Sequence, residues 1–316
     1  EIRPRDWSSD VCSSDLAPAT EQVVPEFAGK QSQPMKGISL LVVNAVVAAI
    51  VAYVYFQYVG AAIGPPTPML GMCTIVSVII TFWFCIMWGG WPFTAIIKNQ
   101  LVAGLVTLVA AYVANYIIFR FIFDYSFMQG APVYVPQLDP HGLVPAFNAL
   151  AFYLTLLASM FLIINFDLWP LTNFPSVMKQ PTLGIVWTIA CFILAAIIYN
   201  TGVRGFGMDP MQFMVRVPVP FVFGTIVVQN MMQGSLFSSL KGPVKGVANA
   251  LAVVVIGQVL AAFYRAMMPV VTGPLKAGGP GYDAEVWLAT ALLSVTFPFL
   301  IFYAAFFDFW PLKKPE

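Results

Sequence analysis

Eight times along this chain an apolar run of roughly 20 residues, the length that crosses a bilayer as an α-helix, lies between breaks of glycine, proline or charge. The runs predict helices near residues 38–63, 69–88, 101–123, 143–165, 183–200, 211–232, 247–268 and 286–307. Hydrophobic residues make up 59% of the chain and charged residues 9%, against roughly a quarter charged in soluble domains. There is too little polar side chain here to cover a water-exposed surface. The expected fold is therefore an all-α, polytopic integral membrane protein of about eight transmembrane helices. Runs this long and continuous are unlike the short alternating strands of an outer-membrane barrel.

Lysines set the expected direction. Lys30 and Lys36 precede the first run, Lys98 follows the second and Lys179 the fourth. Lys241 and Lys245 follow the sixth, Lys313 and Lys314 the eighth, and Lys276 alone falls on the opposite side. Positive charge collects on the cytoplasmic side. The expected location is thus a cytoplasmic (inner) membrane, crossed many times, with both termini inside.

Two runs end alike, at Phe166-Asp167-Leu168-Trp169-Pro170-Leu171 and Phe307-Asp308-Phe309-Trp310-Pro311-Leu312, and Trp91-Pro92-Phe93 echoes them. Tryptophan favours the membrane interface and proline cannot continue a helix, so Trp-Pro reads as a stop at headgroup level. A lysine loop and a glycine then lead into the next run, as in Lys179-Gln180-Pro181-Thr182-Leu183-Gly184 and Lys241-Gly242-Pro243-Val244-Lys245-Gly246. This pattern predicts parallel two-helix repeats, runs 2–3, 4–5 and 6–7, with run 8 a truncated copy. The third copy has lost its Trp-Pro and reads Gly234-Ser235-Leu236-Phe237.

The segment from Asp6 to Leu16 resembles the in-frame translation of a common sequencing adapter, so residues 1–16 are expected to be an artefact rather than protein. A Ser/Asp-rich tail is the alternative. Residues 17–36 are expected to form a polar cytoplasmic tail, 37–312 a single transmembrane domain, and 313–316 a second cytoplasmic tail.

Few groups in the chain carry chemistry. Cys73, Cys85 and Cys191 lie inside apolar runs and His141 is the one histidine, which predicts no metal site and no cofactor. No phosphate-binding loop or nucleophile motif occurs, so an enzyme is the least favoured class, and no nucleic-acid partner is expected. The loop from Asp124 to Gly142 carries Tyr125, Tyr134, Asp139 and His141 and is read as a structured outer loop.

Three constellations remain. Asp167 and Asp308 sit just inside apolar helix ends, where a carboxylate is costly. They are candidates for ion coupling or gating, the alternative being a loop cap or a partner for Lys98, Lys179 or Lys241. Arg120, Arg204, Arg216 and Arg265 all map to the outer half. They are read either as an anion-attracting set, with Arg120, Arg204 and Arg265 at the approach, or as ion-pair partners of Asp124, Asp139, Asp209, Asp283 and Glu285. Arg216-Val217-Pro218-Val219-Pro220 interrupts the sixth run, and unwound backbone within a membrane is tolerated only against protein or water. With Gln229, Asn230 and Gln233 further along, Arg216 marks the candidate substrate-binding site. A proline kink with an arginine reaching the headgroups is the alternative.

The expected function is a permease-like secondary transporter or channel for a small solute, with an anion fitting the arginines. Its expected partners are the lipid bilayer, the solute, and membrane or ATPase subunits. The competing expectation is a non-catalytic anchor or assembly subunit of a larger membrane complex.

Overall fold

The structure is a computed structural model that describes residues 30–64, 67–279 and 281–312. The adapter-like segment, residues 17–29 of the polar tail and the tail at 313–316 lie outside the described residues. Eight helices are long and apolar enough to cross a membrane: α1 Met35–Val59, α2 Pro68–Met87, α3 Val102–Ile122, α4 Ala146–Asn165, α5 Thr182–Gly205, α6 Pro210–Met231, α7 Gly242–Thr272 and α8 Asp283–Phe306. Each falls on one of the apolar runs, and the chain is a multi-pass membrane protein by that measure.

Boundaries follow local chemistry. Pro68, Pro210 and Pro243 each stand in a first helical turn, where a missing N–H leaves no bond unmade. Helix α7 tolerates Pro269 near its end and stops at Gly273, whose φ is 78°. Pro298 in α8 directly follows a widened turn, Leu292–Thr296, the local adjustment that accommodates a residue without an N–H.

Three helix ends share one geometry. At the end of α2 the Trp88 N–H bonds to the Trp83 carbonyl at 3.2 Å and Gly90 N–H to the Phe84 carbonyl at 2.9 Å. Gly89 and Gly90 are left-handed, and a cis Trp91–Pro92 bond follows. Asp167 and Leu168 after α4, and Asp308 and Phe309 after α8, adopt the same left-handed pair before a cis Trp-Pro bond. After α6 the pair persists at Gln233 and Gly234 without Trp-Pro.

Another helix begins against each of these three ends. Gly184 of α5 abuts Trp88, Gly37 of α1 abuts Phe307, and Gly246 of α7 abuts Phe166, each so closely that a methyl group would strike the ring. Gln180 spans the first contact: its Nε2 donates to the Met87 carbonyl at 2.9 Å and its Oε1 accepts from Gly184 N–H at 3.0 Å. Gln33 does the same between the Phe306 carbonyl (2.8 Å) and Gly37 N–H (3.2 Å). Gly242, the first residue of α7, occupies the corresponding place four residues before Gly246, and there Asn249 donates to the Asn165 carbonyl instead, at 3.3 Å.

The described residues form two compact units, one of residues 30–41, 157–178 and 200–312, the other of 42–156 and 179–199. In the first, α6 and α7 meet backbone to backbone. A methyl group on Gly224 would collide with the Val253 carbonyl oxygen, and one on Gly257 with the Pro220 carbonyl oxygen. In the second, α2 and α3 are joined by Asn115, whose Nδ2 donates to the Cys73 carbonyl at 2.9 Å. The loop between α3 and α4 closes through β1 (Phe123–Asp124) pairing parallel with β2 (Val144–Pro145). Buried Asp139 ties this loop to the start of α2, accepting from Met69 N–H at 2.7 Å and Val135 N–H at 2.8 Å.

Candidate functional site

The helix break around Val217 comes from Pro218 and Pro220, which supply no N–H. Val217 sits at φ −118°, ψ −77°, and two short helices, Pro210–Arg216 and Pro218–Ile226, flank it. The Arg216 carbonyl, which would otherwise bond the N–H at position 220, accepts from Gln258 Nε2 at 2.7 Å. Arg265 Nη2 donates to the Val215 carbonyl at 3.2 Å. Two side chains of α7 thus supply hydrogen bonds to the backbone where α6 is interrupted.

The Arg216 side chain is exposed. Gln229 lies thirteen residues on, about 20 Å along the helix at 1.5 Å per residue, so the structure does not bring Arg216 and Gln229 together. Asn230 bonds the Ile226 carbonyl of its own helix at 3.0 Å, and Gln233 belongs to the left-handed turn after α6.

Gln229 instead joins a buried polar cluster in the last turn of α4. Asn165, with no exposed surface, donates through Nδ2 to Thr225 Oγ1 at 2.9 Å and accepts at Oδ1 from Gln229 Nε2 at 3.2 Å. Asn249 on α7 donates to the Asn165 carbonyl, while its own buried Oδ1 has no donor among the described residues. Thr225 and Gln229 are spaced i, i+4 on α6, as Lys245 and Asn249 are on α7, which sets each pair on one helix face.

Asp167, two residues beyond Asn165, receives Lys245 Nζ at 2.8 Å, with the two side chains 29% and 15% exposed respectively. The lysines expected from the sequence were Lys98, Lys179 or Lys241. Lys245 takes the place because the close approach of Gly246 to Phe166 brings the residue beside it to the α4 end. Asn165, Thr225, Asn249 and Lys245 were not among the expected site residues. The only local signals were the i, i+4 spacings Thr225–Gln229 and Lys245–Asn249 and the closeness of Asn165 to Asp167. Asp308 is exposed in the matching turn after α8.

The expectation that arginines neutralise the outer carboxylates is corrected by the structure. Arg120 donates to the Leu138 carbonyl, not to Asp124 four residues on. Arg204 is exposed. Among the described residues, Asp124, Asp139, Asp209 and Glu285 all accept from backbone N–H groups, Asp124 and Asp209 from hydroxyls as well. The reason is positional. The carboxylates sit at helix starts and turns, where free N–H groups gather, while Arg120 and Arg265 reach carbonyls of a loop and of a broken helix.

In the loop, Ser126 Oγ and N–H both bond Asp124, which holds that carboxyl below its usual range, and Ser126 Oγ lies 2.9 Å from His141 Nδ1. His141 Nε2 meets Tyr134 Oη at 3.1 Å. Serine here stands between the carboxylate and the imidazole, whereas nucleophilic triads place the imidazole between the other two. The chain matches no family model, no curated protein and no solved structure.

Proposed function

We propose that the chain is a permease-like protein of a cytoplasmic membrane, both termini inside, that passes a small anionic solute through the unit containing α6 and α7. The observation that carries this reading is the Asn165–Thr225–Gln229–Asn249 cluster. Asn165, Thr225 and Asn249 are uncharged hydrogen-bonding groups buried where an apolar core would suffice, Gln229 is half-buried beside them, and one acceptor, Asn249 Oδ1, has no donor among the described residues. A buried polar group left without a partner calls for an explanation, and a solute-facing role supplies one here. The Lys245–Asp167 pair acts as a latch at the adjacent helix end, with Asp308 a second charged group in the matching turn after α8. Arg216, Arg204 and Arg265 supply positive charge towards the other side. The recurring helix ends support parallel two-helix repeats.

The test is twofold. Proteoliposomes are loaded with the protein and assayed for uptake of labelled phosphate, sulfate and acetate. A Thr225→Cys variant lacking Cys73, Cys85 and Cys191 is treated with a charged, membrane-impermeant thiosulfonate. Labelling at Thr225→Cys that speeds up in Lys245→Ala supports a gated aqueous path. Absence of labelling in both, with no uptake, rejects it.

The second reading, a non-catalytic subunit of a larger membrane complex, draws on exposed Arg216 beside exposed Val217. A partner carboxylate there would pair with the exposed guanidinium.

A further inference from the structure

The unit of residues 42–156 and 179–199 contains a cavity of about 430 Å³, within the size range of small-molecule sites, roughly 300–1,000 Å³. Its walls include the rings of Trp83, Phe84, Trp88, Trp91, Tyr153 and Phe192. It reaches from the Trp91–Pro92 turn to Ile79, and the nine steps from Ile79 to Trp88 cover about 13 Å of helix. Trp83 and Phe192 meet edge to face at 6.0 Å, and Trp88 is pinned by its Nε1 donating to Thr188 Oγ1 at 3.3 Å.

Three donors on these walls have no acceptor among the described residues: the Tyr153 hydroxyl and the indole N–H groups of Trp83 and Trp91. Tyrosine and tryptophan in apolar surroundings normally find a partner for that polar end. A hydrocarbon tail would pack on the ring faces but leave all three donors unmatched. A planar ring bearing a carbonyl would stack on the faces and accept from the donors.

We infer that this cavity is a binding site for a membrane-dissolved ring compound with a carbonyl acceptor, of the quinone class, with Tyr153 as a hydrogen-bond donor. The inference is independent of the permease reading, because the α6–α7 cluster belongs to the other unit. The test uses intact protein in lipid nanodiscs titrated with a decyl-substituted benzoquinone, read by quenching of tryptophan fluorescence. Saturable quenching is expected, about tenfold weaker in Tyr153→Phe, the loss of roughly one hydrogen bond. It should vanish in Ala114→Trp, which fills the cavity, and in Ile118→Trp if the first variant does not fold. Helical circular dichroism checks each variant. Quenching that never saturates, that is equal in all variants, or that oleic acid reverses as well as a second quinone does, overturns the assignment.

Discussion

The Lys245 ammonium sits 2.8 Å from the Asp167 carboxylate, and four residues along α7 Asn249 donates to the carbonyl of Asn165. One face of α7 therefore makes both a charged and an uncharged contact with the same end of α4. The charged contact is nearer to solvent and the uncharged one is fully buried.

Asp167→Asn and Lys245→Ala are each expected to lower stability by about 1–3 kcal/mol, between the values typical of exposed and buried pairs. The double substitution should cost less than the sum of the two. Thermal unfolding in detergent measures the cycle, and strict additivity would show that the pair contributes no coupling.

Lys36 precedes Gly37 as Lys245 precedes Gly246, and Asp308 follows Phe307 as Asp167 follows Phe166. We expect the same coupling between Lys36 and Asp308. A double-mutant cycle on Lys36→Ala and Asp308→Asn should return an interaction of the same sign as the Lys245–Asp167 cycle.

Gly224→Ala and Gly257→Ala force a methyl group onto a backbone oxygen of the facing helix. Such overpacking costs about 1–3 kcal/mol, and Leu at either position should prevent accumulation of folded protein. Gly71→Ala, where no atom lies within 4 Å of the added carbon, is the control and should behave as wild type. Melting temperatures of the purified variants decide the matter.

Gln180→Ala removes both halves of the bridge between the Met87 carbonyl and Gly184 N–H. The expected cost is about 1–3 kcal/mol for the groups left unpaired. Hydrogen exchange should accelerate at Gly184 while remaining unchanged at Gly246, where no glutamine is present.

The Tyr282 hydroxyl donates to Asp209 at 2.7 Å, and this bond, with burial, pushes its pKa up to about 12 from 10.0. The folded protein therefore favours the protonated phenol. The stabilisation is whole below pH 10 and is lost as pH rises towards 12. Spectrophotometric titration of tyrosinate should lose one late-ionising group in Tyr282→Phe, and the alkaline fall in stability should become shallower.

The eight spans were legible because apolar length alone specifies them: α4 ends at Asn165, as its run does, and α2 and α8 end within one residue of theirs. The interruption at Pro218 and Pro220 was legible for the same local reason, since proline lacks a donor wherever it stands. Gln229 was legible as a polar group in a span. The cluster it joins was not, because Gln229 is 64 and Asn249 84 residues from Asn165, and the seating of Gly246 on Phe166 brings α7 to the end of α4. The fate of the arginines was hidden differently. Spacing places Arg120 and Asp124 on one face, but it does not reveal the loop carbonyl at Leu138 that wins the guanidinium.

At Gly224 and Gly257 backbone meets backbone between α6 and α7, and Gln258 and Arg265 fasten the broken stretch of α6 to its neighbour. In the proposed permease these two helices would travel as one lever. An opening at Asn165 would then be a sliding of the α4 end against that lever. Its fulcrum would be the turn at Asp167 and Leu168, where the chain leaves α4 in a left-handed bend.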